Sequence, residues 1–187
     1  ILRCLVGSEM CIRDSQKGMQ FLEYSSKGKG LLLSSISDER NSKVTVIGCG
    51  EVGRSSIHKS IQIGASVTAI DINEDILNEL KNQYGENITT LISGSESATN
   101  AIRSADLVVG AVLLPGRKPP IVITEEDINS MEKGSVIVDV AIDQGGCVEG
   151  VKPNTHSEPF EIRSGVIVSA IANLSLIHIS EPTRHRR

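Results

Sequence analysis

Through the middle of the chain, short runs of β-branched residues alternate with stretches whose apolar residues recur every three or four positions. Met19 to Tyr24 reads as the end of a helix, broken by Lys27-Gly28-Lys29-Gly30 and followed by the apolar run Leu31 to Leu33 and a polar loop to Ser42. The pattern then predicts strands over Lys43–Ile47, Ser66–Ile70, Ile88–Ile92, Leu107–Val112, Val136–Val140 and Val166–Ala170. Between them it predicts helices over Val52–Ile63, Glu74–Tyr84, Glu96–Ser104 and Thr124–Met131. Gly64 and Gly85 stand where helices stop, and Thr124-Glu-Glu-Asp puts a capping hydroxyl and acids at a helix start. Strands alternating with helices in this way imply βαβ units: an α/β fold with a doubly wound parallel sheet. No internal repeat or low-complexity tract interrupts it.

The first strand runs straight into Gly48-Cys-Gly50-Glu51-Val52-Gly53, a G-x-G-x-x-G that opens a helix. The first glycine permits a tight turn, the second lets a pyrophosphate approach the backbone, and the third packs helix against strand. The helix N-terminus offers its amides and partial positive charge to phosphate. Asp71 ends the next strand 18 residues after Gly53, close to the spacing of about 20 for the acid that binds the adenosine ribose. A carboxylate there accepts from ribose hydroxyls and repels a 2′-phosphate, so NAD is expected over NADP. Arg54, at the start of the helix, is the one feature that pulls the other way.

Composition adds constraints. Aromatic residues are 2% of the chain, with no Trp, so the core must be aliphatic. A formal net charge of −4 argues against nucleic acid or an anionic membrane as the main partner. No apolar stretch approaches the roughly 20 residues of a membrane span, and the expectation is a cytosolic protein. The two ends read differently from the middle. Residues 4–15, CLVGSEMCIRDS, and residues 174–187, LSLIHISEPTRHRR, can be back-translated into DNA segments that are nearly reverse complements. That is the expectation for a transposon-type sequencing adapter translated at both ends. Residues 1–15 and 174–187 are therefore set aside from the fold. The remaining 16–173 carries 14 basic and 20 acidic residues, a net charge of −6. Cys49 and Cys147 are the cysteines left in it, too few and too far apart for a zinc site or a disulfide framework. The organisation expected is an interdomain helix and lead-in over 16–42, then a Rossmann NAD-binding domain over 43–173.

Ligands of open α/β sheets lie outside the carboxyl ends of the strands. Three small or polar segments fall there: Ser93-Gly94, Val112-Leu113-Leu114-Pro115-Gly116, and Asp139-Val140-Ala141-Ile142-Asp143-Gln-Gly-Gly146. Asp143 stands beyond the strand beside a flexible Gly-Gly pair, suited to orienting a ribose hydroxyl or to proton transfer near a nicotinamide. On spacing alone it serves equally well as a turn cap. Cys147 and His156 read as structural or incidental. Glu125-Glu126-Asp127 reads as a solvated helix start, and no metal site is expected.

Over nearly all of 16–173 the sequence resembles the alanine dehydrogenases. The resemblance is carried by Lys27-Gly-Lys-Gly-Leu-Leu-Leu33, the glycine motif, Ile70-Asp71-Ile-Asn73, and the segment from Ala105 to Gly116. It continues through Lys133 to Cys147 and Ala172-Asn173, with Asp143-Gln-Gly-Gly its most specific part. The resemblance implies NAD as cofactor and oxidative deamination of L-alanine to pyruvate and ammonia. By position it makes Asp143 a catalytic acid/base in contact with the cofactor. Gly48, Gly50, Glu51, Val52 and Gly53 then bind the dinucleotide, with Asp71 on the ribose and Ser93 near the adenine. Val112, Leu113, Val140, Ala141, Ile142 and Asp143 line it, Lys152 is a further cofactor contact, and Asn173 reaches its nicotinamide end. Two positions depart from the family: Ile76 replaces a common Lys, and Lys152 a common Arg. The family's substrate-binding Arg and Lys and catalytic His belong to an N-terminal domain that these residues do not include. The expectation is thus a cofactor half that binds NAD weakly and does not turn over alanine, from an enzyme that is a homo-oligomer when complete. The alternatives are the nucleotide domain of a transhydrogenase α-subunit and a non-catalytic NAD-sensing module. The first is disfavoured by Asp143-Gln-Gly-Gly, the second by an acid and an amide at the nicotinamide end.

Overall fold

The β-branched runs form the strands expected of them. The computed structural model describes residues 17–23, 27–31, 41–114, 116–155 and 157–171. Seven strands make one sheet: β1 (Lys43–Ile47), β2 (Ser66–Asp71), β3 (Ile88–Ile92), β4 (Leu107–Gly110), β5 (Val136–Asp139), β6 (Glu161–Arg163) and β7 (Val166–Ser169). Their spatial order is β3-β2-β1-β4-β5-β7-β6. Every pairing is parallel except β6 with β7, which is antiparallel. Order reverses at β1, whose neighbours are β2 and β4. A crevice at that switch point is where such sheets bind ligands.

The helices are α1 (Glu51–Gln62), α2 (Glu74–Tyr84), α3 (Glu96–Arg103) and α4 (Glu125–Ser130). Side chains alternate across the sheet with the strand period of two. Val44, Val46, Val109, Val136 and Val138 join Ile57 of α1 and Leu77 and Leu80 of α2 on one face. Ile47, Val108, Ile137 and Val168 join Ala98 and Ile102 of α3 and Ile128 of α4 on the other. The sheet is thus covered on both sides, as a doubly wound fold requires. Thr45, the polar exception in β1, is buried and donates its hydroxyl to the Ala101 carbonyl in α3 at 3.1 Å.

Beyond shifts in where elements end, two details differ from the sequence-based expectation. β6 was not expected; it forms a two-residue hairpin with β7 through Ser164 (φ 52°) and Gly165 (φ 88°), the positive angles a type I′ turn needs. The sheet is therefore mostly, not wholly, parallel. The acidic run at α4 is also less solvated than expected. Thr124 and Asp127 form a reciprocal capping box, Arg103 pairs with both Glu126 and Asp127, and Glu125 pairs with Arg163.

Residues 17–21 are helical. The Lys27-to-Gly30 turn docks at the amino-terminal edge of the sheet. There the Lys29 ammonium lies 2.8 Å from both Asp106 and Glu132. Asp106, wholly buried, also accepts the Lys43 amide at 2.9 Å. Both expected tails and most of the run Leu31 to Leu33 lie outside the described residues. No helix among the described residues is long and apolar enough to cross a membrane.

Candidate dinucleotide site

The turn after β1 is built around three glycines with three different requirements. Gly48 has φ +88°, and a Cβ there would lie 2.7 Å from the Ala111 carbonyl oxygen. It therefore lets the loops after β1 and β4 touch. At Gly53 a Cβ would lie 1.9 Å from the Gly48 carbonyl oxygen, so helix and turn pack backbone to backbone. Gly50 differs from both: its φ is −69°, open to any residue, and a Cβ would meet nothing within 4 Å. Nothing in the described fold requires glycine at 50; the open face before it suits the close approach of a ligand.

Gly50 is also the N-cap of α1, and no side chain caps that helix. The contrast is sharp. Asn73 caps α2, Ser95 caps α3 and Thr124 caps α4, each accepting a hydrogen bond from a first-turn amide. A helix end that borrows no side chain leaves its amides and dipole to solvent or an anion.

Asp71, the last residue of β2, faces the glycine turn. Its carboxylate accepts the Cys49 amide at 2.6 Å and the Asn73 amide at 2.9 Å. Cys49 itself points into the core, and burial, reinforced by the Asp71 charge, pushes its thiol up to about 12. It stays protonated and serves as packing. Arg54 is engaged on both sides: its Nε donates to the Cys49 carbonyl at 3.2 Å and its Nη2 to Glu79 of α2 at 2.6 Å.

The loop after β5 is organised by a residue that sequence reasoning passed over as a strand terminus. Asp139 is 1% exposed. One carboxylate oxygen accepts the amide of Ala141 at 2.9 Å, the other those of Cys147 at 2.8 Å and Val148 at 3.1 Å. The Cys147 thiol also lies 3.5 Å from the first oxygen. Burial pushes the Asp139 carboxyl above the ordinary range, partly opposed by those amides. Burial and the Asp139 charge likewise raise the Cys147 thiol. The clamp folds residues 140–148 back on the strand end. Gly145 and Gly146 make the return with φ +106° and +74°, and a Cβ on Gly146 would lie 2.9 Å from Asp139. At the apex, a 3-10 turn over Ile142–Gln144 presents Asp143 on the surface, while Ala141 and Ile142 are buried beneath it. Asp139 and Cys147 were detectable only as a pairing eight residues apart, for which no local pattern exists.

The other predicted residues among those described gather at the same carboxyl edge. Ser93 donates its amide to the Asp71 carbonyl at 2.9 Å. It lines a cavity of about 260 Å³ with Ile47, Ile70, Gly94, Ala98 and Val122. Val112 is half-buried, and Leu113 is 42% exposed beside it. Ile72 follows Asp71 at 81% exposed, so the crevice has an apolar rim. Val140 is buried, and Lys152 is exposed just after Val151, which packs against Gly146. Asn173 lies outside the described residues. A larger recess of about 390 Å³ opens at the opposite edge, between Ala65, Ser66, Asn87 and Ile88. None of the predicted site residues lines it.

The family model for the alanine dehydrogenase/PNT C-terminal domain matches residues 15–179. The alanine dehydrogenase of Bacillus subtilis is 46% identical over 161 residues, 86% of this chain and 43% of the relative. That of Geobacillus stearothermophilus is also 46% identical, over 160 residues, 85% of this chain and 43% of the relative. A solved L-alanine dehydrogenase superposes with a TM-score of 0.85 at 36% identity, covering 92% of this chain and 48% of that one. A transhydrogenase from Sinorhizobium meliloti shares the fold, with a TM-score of 0.67 at 21% identity over 94% of this chain and 52% of that one. The chain spans less than half the length of the curated relatives it matches. With a glycine turn, a strand-end acid and a family match over most of its length, the chain belongs to the alanine dehydrogenase/PNT C-terminal domain family.

Proposed function

We propose that this chain is the NAD-binding half of an alanine dehydrogenase, the cytosolic and homo-oligomeric enzyme that oxidatively deaminates L-alanine to pyruvate and ammonia. The observation that carries the reading is the open face at Gly50, where an uncapped helix start stands beside the Asp71 carboxylate. A dinucleotide fits that donor set: amides for its pyrophosphate, a carboxylate for its ribose hydroxyls, and a cavity of mixed apolar and polar lining beside Ser93 for its adenine. When bound, NAD supplies the acceptor for the hydride that leaves the α-carbon of alanine.

The chain's own residues bind, orient and move protons. Val112, Leu113 and the 140–143 turn form the wall against which the dinucleotide lies, with Lys152 as a further contact and Asn173 toward its nicotinamide end. Asp143, held out on the turn that Asp139 clamps, takes the proton that the amino group must release as the carbon–nitrogen bond is oxidised. Named alanine dehydrogenases at 46% identity favour this over the transhydrogenase reading, whose solved relative is at 21%.

The 187-residue chain is expected to enhance NADH fluorescence on titration yet to produce no NADH from alanine and NAD, since hydride transfer needs the amino acid held in a closed cleft. Alanine-dependent NADH production by the purified chain would refute the half-enzyme reading. In the complete enzyme, Asp143→Asn is expected to lower turnover by about 100-fold or more. Unchanged turnover would leave Asp143 a binding role at most.

A further inference from the structure

Arg54 stands one residue past Gly53, in the first turn of α1, where a free cation would favour a phosphate on the adenosine ribose. It is not free. Its Nε donates to the Cys49 carbonyl, while the amide of that same residue donates to Asp71. Arg54 and Asp71 thus both close on Cys49, one through its carbonyl and the other through its amide. On its other side Nη2 reaches Glu79, 2.6 Å away on the neighbouring helix α2. Glu79 is 64% exposed. An exposed pair of this kind adds little to stability, but it decides where the guanidinium points.

We infer that Glu79 is a coenzyme-specificity residue: by engaging Arg54 it withholds from a 2′-phosphate the cation held on the same glycine turn that Asp71 bonds. Discrimination between NAD and NADP then has two parts, repulsion by Asp71 and the occupation of Arg54 by Glu79. Guanidinium binds phosphate oxygens in the same forked geometry as carboxylate. Loss of the Glu79 charge therefore makes Arg54 available to the phosphorylated coenzyme. The inference rests on the nucleotide reading above.

The test titrates NADH and NADPH separately into the wild-type chain, Glu79→Gln and the double variant Arg54→Ala/Glu79→Gln, at low salt, following nicotinamide fluorescence. The wild type is expected to favour NADH. In Glu79→Gln the ratio of NADPH to NADH affinity should rise by about three- to tenfold, the size expected of one additional charge-assisted hydrogen bond. The double variant should lose that rise, which separates binding by Arg54 from the general effect of removing a negative charge. An unchanged ratio in Glu79→Gln, or a rise that survives the loss of Arg54, overturns the inference while NADH binding leaves the nucleotide reading standing. A wild-type chain that binds neither coenzyme overturns the nucleotide reading and this inference with it.

Discussion

Gly50 and Gly53 are chemically identical but are held in place by different neighbours, and substitution separates them. Gly50→Ala adds a methyl group to open space. The chain should keep its melting temperature nearly unchanged and lose NADH affinity by about tenfold or more, because the methyl occupies the approach of the pyrophosphate. Gly53→Ala drives a methyl group into the Gly48 carbonyl and should lower the melting temperature itself. Thermal scans with and without NADH distinguish the two. Asp139 makes the opposite kind of prediction, a structural residue whose loss reaches the loop that carries Asp143. In Asp139→Asn an NH₂ group must replace an oxygen among the amide donors of Ala141, Cys147 and Val148, costing about 1–3 kcal/mol of stability. Because burial raises its folded-state pKa, Asp139 contributes most to folding below the ordinary aspartate pKa. That contribution is lost as pH rises through the raised value. The stability gap between wild type and variant should therefore narrow from acid toward neutral pH, measurable by denaturant titration across that range.

Among the elements, α4 shows how much a short helix depends on its ends. It has six residues, too few to be stable alone, and its start is secured by the capping box of Thr124 and Asp127 and by Arg103. Burial pushes the Asp127 carboxyl up, but the Thr124 hydroxyl and amide and the Arg103 guanidinium outweigh it and leave it below the ordinary range. Thr124→Ala should cost about 1 kcal/mol, read as a drop in the unfolding midpoint. The Thr124 cap was legible in the sequence because capping is local, and so were α2 and β3, which begin and end where the pattern of apolar residues places them. β6 was not legible by periodicity, since three residues at a sheet edge carry no period. Its signal was the Ser164-Gly165 dipeptide, a turn cue rather than a strand cue. Val112 and Val140, expected as strand ends, lie just past β4 and β5. There the chain turns to wall the crevice, and β-branched residues line the wall as readily as the strand.

At the scale of the whole molecule, the two edges of the sheet divide the work. The amino edge holds the Lys29–Asp106–Glu132 cluster, joining residues 77 and 103 positions apart, a pairing that no window along the sequence contains. The carboxyl edge gathers the glycine turn, Asp71, Ser93 and the Asp139-clamped loop. Its components were legible one by one because each follows a strand; the clamp was not, because it depends on the loop closing on itself. The uncapped start of α1 lies at this edge, and on the proposed reading it should couple folding to nucleotide concentration. In the absence of nucleotide, the first-turn amides of α1 should exchange with solvent deuterium faster than those of α2, which Asn73 caps. NADH should slow them selectively while raising the midpoint of unfolding with each increment of ligand. The dinucleotide is then a removable end piece of the helix, and the local opening of α1 becomes a direct gauge of how full the site is.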